Sequence, residues 1–291
     1  MVQSPSGGIG GRRAGATRPL CEARRTRNPT GRRRRLQSGL SASELEIIMN
    51  NIIATGFNTA STDGELDSLE RELRRLEAIG VDTVELALSS LDLIAGGRIV
   101  KERGDRLRTL LETFSFRYTV HGLVSSNFMD PATRRHQVDA AKALVEICDS
   151  IDARVLVQHA GFLRADQIAQ RAGADERQCE ALLELGEHAK AYGIRIAFEN
   201  IFTTEPGQYR QTPAEVAATV KAVNHPDVVA LIDFSHAYLE SNYRGLDFRD
   251  QLRAMAPVLG APGRRLSRRT ATTRIVVITD GGMECSTGWT S

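Results

Sequence analysis

Ile194-Arg-Ile-Ala-Phe-Glu-Asn200 and, further along, Val228-Val-Ala-Leu-Ile-Asp-Phe-Ser-His236 decide how this chain is read. Each is a short aliphatic run that ends on an acid and is bounded by turn or helix signals. A run that is apolar throughout, without alternation, is the pattern of a strand covered on both faces, as in a parallel sheet. The C-terminal ends of such strands are where a β/α architecture presents its chemistry. Two upstream runs end on a histidine instead, Tyr118-Thr-Val-His-Gly122 and Val155-Leu-Val-Gln-His-Ala-Gly161. Together the four runs bring His121, His159, Glu199, Asp233 and His236 to successive strand ends. Five nitrogen and oxygen donors on one rim suit a divalent cation.

Working outward, strand-like runs fall near 51–56, 82–88, 117–121, 153–159, 194–199 and 228–233, with amphipathic stretches between them. Gly64–Ile79 carries Leu66, Leu69, Leu73, Leu76 and Ile79 on one helical stripe. Asp130-Pro131 and Thr212-Pro213 read as N-caps followed by a first-turn proline, which predicts helices over 131–148 and 213–223. A further helix over 175–192 should stop at Gly193. Strict alternation of six β/α units predicts an α/β fold, a (β/α)8 barrel that becomes incomplete after the sixth unit. No Gly-x-Gly-x-x-Gly follows the first strand, which argues against dinucleotide binding.

The 291 residues are 41% hydrophobic and 25% charged, with a net charge of +2. That near-neutral sum hides an asymmetry. Residues 1–48 hold ten arginines, including Arg32–Arg35, and three acids, so the remainder is acidic. This segment is rich in Gly, Arg, Ser and Pro, cannot bury a core, and is expected to be a disordered leader. Three readings are open for it: a basic arm for nucleic acid, an Arg-rich targeting peptide, or an over-extended translation start upstream of Met49. Residues 49–260 form the barrel. Residues 261–291 are an irregular Arg/Ser/Thr-rich tail, the pattern expected of a frameshift, with one apolar run, Arg274–Asp280, as a candidate seventh strand. Cys21, Cys148, Cys179 and Cys285 show no CxxC spacing, which suggests a reducing compartment. With no membrane-length apolar run and no secretory signal, a cytoplasmic protein is expected.

The segment 50–260 resembles the xylose-isomerase-like TIM-barrel superfamily. That group contains sugar and sugar-phosphate isomerases and epimerases as well as the family 2 metal-dependent apurinic endonucleases. The resemblance rests on Glu199-Asn200 and Asp233-x-x-His236, supported by His121-Gly122 and His159-Ala-Gly161. In the epimerase branch it implies one divalent metal, Mn, Mg or Co, held by Glu199, Asp233 and ligands from strands seven and eight. Glu199 would also exchange a proton beside the substrate carbonyl, His236 would bind a substrate hydroxyl, and Glu205 would orient a sugar or sugar phosphate. In the endonuclease branch a zinc cluster would use His121, His159, Glu199, Asp233 and His236 together, with nucleic acid as the partner. The superfamily also implies a homo-oligomer, while the lack of a membrane-length apolar run leads to the expectation of no membrane partner.

The chain departs from both patterns after His236. No histidine follows it, and Asp280 is the candidate at a later strand end. A third reading is therefore an inactive, truncated member. Glu85, within Val84–Leu88, reads equally as a substrate contact or a buried structural hydrogen bond. Arg210 is a candidate for meeting a phosphate, while His136, His188 and His225 read as surface residues.

Overall fold

The computed structural model describes residues 52–60, 63–259 and 275–279. Seven parallel strands form one sheet. They are β1 (Ile52–Asn58), β2 (Thr83–Ala87), β3 (Arg117–His121), β4 (Val155–His159), β5 (Arg195–Glu199), β6 (Val228–Leu231) and β7 (Ile275–Thr279). Their spatial order is β6-β5-β4-β3-β2-β1-β7. The first six sit in chain order, each beside its predecessor, as short connections between consecutive elements favour.

The connecting helices are α1 (Leu66–Ile79), α2 (Lys101–Leu111), α3 (Arg134–Ser150), α4 (Arg171–Lys190), α5 (Pro213–Val223), α6 (Phe234–Arg244) and α7 (Phe248–Met255). In α1 the leucines at 66, 69, 73 and 76 are buried, and the helix stops at Gly80 in the left-handed region, φ 79°. Ile79 was expected on the same stripe but is 65% exposed, because the chain leaves the helix before that turn meets the sheet. In α5 the Thr212 hydroxyl accepts the Glu215 N–H while Glu215 accepts the Thr212 N–H, a capping box behind Pro213.

Two helix starts differ from the sequence reading. Asp130 caps a turn instead of a helix: its carboxylate accepts from the Ala132 N–H and the Thr133 hydroxyl, so α3 begins at Arg134. α4 begins at Arg171, four residues early, and the chain turns out through Gly193, φ 66°.

Strand parity sorts the core into two layers. Val84, Leu86, Val120, Leu156, Ile196, Phe198, Val228 and Ala230 pack outward with the helix leucines in the main cluster. Val157, Ala197 and Val229 form a separate inward cluster with Val155 and Leu231. The same inward rows lead to the ends of β3, β4 and β5, and so to His121, His159 and Glu199.

The expected seventh strand exists but lies elsewhere. Ile275–Thr279 pairs in parallel with β1, Phe57 opposite Thr279, at the edge away from β6. Beside β6 the chain makes a single parallel bridge, Ala230 with Leu259. The later strand covers the open hydrogen-bonding row of β1, an edge that would otherwise invite pairing with another chain. Among the described residues no strand joins β6 to β7, so the barrel is incomplete after its sixth unit. The readings made for residues 1–48, for 260–274, for Asp280, and for Cys21 and Cys285 lie outside the described residues. No described helix is long and apolar enough to cross a membrane.

Candidate metal centre

Register brings the rim together. His159 at the end of β4 lies opposite Glu199 at the end of β5, and Leu231 of β6 lies on the other side of Glu199. His121 ends β3 opposite Val157. Asp233 follows β6 and caps α6, its Oδ1 accepting the His236 N–H at 2.6 Å. One helical turn therefore carries both the Asp and the His of Asp233-x-x-His236 to the rim.

The donor atoms form two groups that share Glu199: His121, His159 and Glu199, and Glu199, Asp233 and His236. His159 Nε2 lies 3.1 Å from His121 Nε2 and 3.3 Å from Glu199 Oε2, and His121 Nε2 lies 3.8 Å from that same oxygen. On the other side, His236 Nδ1 is 3.6 Å from Glu199 Oε1 and 3.7 Å from Asp233 Oδ2. All five residues named from strand ends are thus brought together.

Tautomers follow from the carbonyls. His121 Nδ1 donates to Gly122 O at 2.9 Å, and a carbonyl can only accept, so the His121 lone pair is on Nε2 and faces His159 and Glu199. His236 Nδ1 likewise donates to Asn200 O at 3.1 Å, so the nitrogen nearest Glu199 and Asp233 carries the proton and the lone pair is on Nε2. Burial pushes His159 down to about 4, a depression that Arg210 adds to and that the Val124 backbone and Asp233 oppose. It is therefore neutral at physiological pH, as a ligand must be. A lone pair on His121 and a carboxylate oxygen converge on His159 Nε2, and such a set is reconciled by a shared proton or a cation. The donor chemistry fits a divalent metal.

Other named residues take different places. Glu205 is exposed on the loop after β5, where its backbone carbonyl accepts the Gln208 N–H. Glu85 is buried on the inward row of β2 and accepts the Thr119 hydroxyl at 3.3 Å. His136 is exposed, and His188 is partly covered. His225 was expected at the surface but is buried, 7% exposed: its Nδ1 accepts the Asp227 N–H, and Nε2 lies 3.2 Å from Glu187.

The sequence reading left two supports without a role. Asn200 bonds both main-chain groups of Asp233, fixing the end of β6 to that of β5. Behind His159, a buried amide network holds the loop at Gly161, whose N–H donates to Gln178 Oε1 at 2.7 Å, while Gln178 Nε2 donates to Gln211 Oε1. A Cβ on Gly161 would stand 2.6 Å from Asn127 Oδ1, so only glycine fits there. Adjacency to Glu199 was the one available signal for Asn200. The amides come from three separate elements and have none.

A family profile described as "Xylose isomerase-like TIM barrel" matches residues 73–266. Three solved structures resemble the fold. A D-tagatose 3-epimerase-like protein is 18% identical, with 72% of this chain and 74% of that one covered at a TM-score of 0.58. D-psicose 3-epimerase from Clostridium cellulolyticum H10 is 18% identical, covering 71% of each chain at 0.56. D-allulose 3-epimerase from Methylomonas sp. is 18% identical, covering 72% of this chain and 70% of that one at 0.58. No curated protein matches the sequence. Because the profile spans more than half of its length, this chain belongs to the xylose isomerase-like TIM-barrel family.

Proposed function

We propose that this chain is a metal-dependent sugar isomerase or epimerase that moves a proton at the carbon beside a carbonyl. The observation that carries the reading is the placement of Glu199, a buried carboxylate at the barrel rim shared by both donor groups. The epimerases with similar folds act on ketohexoses by name, which makes a ketose the first substrate class to try.

Glu199 and Asp233 would hold one divalent ion, with His121 and His159 available to the same carboxylate. When bound, such an ion supplies electrostatic stabilisation of negative charge on the substrate oxygens. Glu199 takes the proton from the carbon beside the carbonyl and returns it to the neighbouring carbon in an isomerisation, whereas an epimerisation needs the proton delivered to the opposite face. The buried setting of Glu199 keeps bulk water from competing. His236 Nε2, left free by the Nδ1–Asn200 bond, accepts a substrate hydroxyl proton in a hydrogen bond. His159, buried and neutral, adds no positive charge that would pull Glu199 away from its role as a base.

The experiment is solvent exchange. The full chain, loaded with Mn²⁺ and incubated with ketohexoses in D₂O, should place deuterium beside the carbonyl, read by NMR. Glu199→Gln should lower exchange by roughly 10²–10⁴-fold. Equal exchange in the variant would remove Glu199 from this role.

A second reading, a zinc-dependent apurinic endonuclease, is favoured by the closeness of His121 and His159 to Glu199. Nicking of abasic duplex at low salt in Zn²⁺ tests it. The acidic composition of the chain beyond residue 48 is poorly matched to a phosphate backbone.

A further inference from the structure

Among the described residues, Arg210 is a buried cation near this rim that the proposed chemistry does not use. It sits on the loop after β5, in a two-residue strand paired antiparallel with Phe162–Leu163. It is only 9% exposed. Its guanidinium lies over the Phe162 ring, 4.4 Å from the centroid. Nε donates to Gln208 Oε1 at 3.2 Å and Nη1 to Ala160 O at 3.3 Å. Ala160 directly follows His159, and its N–H donates to Glu199 O at 2.9 Å, so the guanidinium stands one residue from the metal-ligand cluster.

This cation has no direct counter-ion among the described residues. Among the described residues no carboxylate makes ion-pair contact with it, and Nη2 has no acceptor. Glu240 and Glu205 act on it only through space. Glu240 is already committed, accepting Arg244 Nε at 2.9 Å and the Thr203 N–H at 2.8 Å. Gln208 Oε1 is shared as well, accepting from the Thr204 N–H and hydroxyl. Burial without a counter-ion draws the guanidinium down to about 10. Holding a guanidinium here without a direct counter-ion is unfavourable, and an arriving anion relieves that cost. A fold that needed only a clamp on the Ala160 loop would be served by a neutral amide, as Gln178 does at Gly161.

We propose that Arg210 is an anion subsite of the rim, which receives a phosphate or carboxylate carried by the sugar at the end remote from its carbonyl. The planar guanidinium offers Nη2 and a shared edge to two oxygens of such a group, while Phe162 holds its plane. The subsite rests on the reading of the rim as a sugar-isomerising centre, and it narrows the substrate to anionic sugars.

Calorimetric titration of the full chain with D-fructose, D-fructose 6-phosphate, D-fructuronate and inorganic phosphate tests it. The anionic sugars should bind about 10- to 100-fold more tightly than D-fructose, and the phosphate-to-carboxylate ratio tells which group is meant. In Arg210→Gln that margin should collapse to within about twofold, with Arg210→Lys between. Equal affinities for all three sugars overturn the subsite, as does an Arg210→Gln loss that falls equally on neutral and anionic sugars, the mark of a structural clamp. Should Arg210→Gln melt without cooperativity, inorganic phosphate against the unmodified chain decides: it must compete with D-fructose 6-phosphate and leave D-fructose binding alone. Anion binding through Arg210 with no deuterium exchange on any ketose would keep the subsite and discard the isomerase. Exchange on D-fructose with no anionic preference does the opposite. Binding of none of the four probes sinks both.

Discussion

Asn200 holds both main-chain polar groups of Asp233: its Oδ1 accepts the Asp233 N–H and its Nδ2 donates to the Asp233 carbonyl, each at 3.0 Å. The Asn200 carbonyl in turn accepts His236 Nδ1. One amide side chain thus fixes the spacing between Glu199, its chain neighbour, and the Asp233–His236 turn. Only an amide has a donor and an acceptor in this arrangement. Asn200→Asp puts an oxygen against the Asp233 carbonyl, and Asn200→Ala leaves the half-buried Asp233 N–H without its acceptor while the carbonyl keeps only the Ala237 N–H. Each should lower unfolding free energy by about 2–3 kcal/mol in urea titrations, and each should cut metal-induced stabilisation by more than the stability loss alone predicts. A variant that binds metal normally would show that the Asp233 turn holds itself.

Sharing of Glu199 between the two donor groups has a consequence for loading. Mn²⁺ at about 100 times its Kd should stabilise the chain by about 2.7 kcal/mol, roughly 5–10 °C in melting temperature. Glu199→Gln should abolish that shift for Mn²⁺ and Zn²⁺ alike. Asp233→Asn should remove most of the Mn²⁺ shift, whereas His121→Asn should chiefly reduce what Zn²⁺ adds. Parallel melting curves with elemental analysis read this directly. Identical losses in all three variants would mean one undivided site.

The fold was legible because its information is local. Runs such as Val228–Ile232 and caps such as Thr212-Pro213 act within a few residues, and α5 begins where that cap places it. The five rim residues were legible for a related reason: a parallel barrel puts every strand end on one face, so chain position stands for spatial position. What failed involved distance. β7 pairs with β1 because an edge row was open there, which no window around Ile275 reveals. His225 is buried by Gly186 and Val228 of other elements, with a Cβ on Gly186 only 2.9 Å from its Nδ1. Asp130 has the composition of a helix cap, yet its carboxylate closes a turn.

Gly122 is a close approach, not a hinge. A Cβ there would lie 2.5 Å from Val157 O, the same oxygen that accepts the Gly122 N–H at 2.8 Å. Gly122→Ala must push β3 away from β4 and should cost about 1–3 kcal/mol in urea unfolding. Because Gly122 O also receives His121 Nδ1, that movement takes His121 off its partners. The variant should therefore copy His121→Asn in Zn²⁺ titrations. Unchanged Zn²⁺ binding would place the clash elsewhere.

Tyr118 gives the fold a limit in alkali. Its hydroxyl donates to Leu111 O at 3.2 Å, and burial, aided by the Glu77 charge, raises it from the usual 10.0 to about 12. The folded state therefore keeps its proton more tightly than the unfolded chain. The contribution is whole below pH 10, falls between 10 and 12, and is gone above. At roughly 1.4 kcal/mol per pH unit, reduced for partial exposure, about 1–2 kcal/mol should disappear across that window. Tyr118→Phe has no proton to lose, so its stability curve should be flatter between pH 10 and 12 even if it starts lower by the missing hydrogen bond. Tyr209, also raised by burial, keeps some slope in both proteins. Urea midpoints at pH 9, 10.5 and 12 settle the matter: parallel curves for the two proteins would show that Tyr118 ionises as freely when folded as when unfolded.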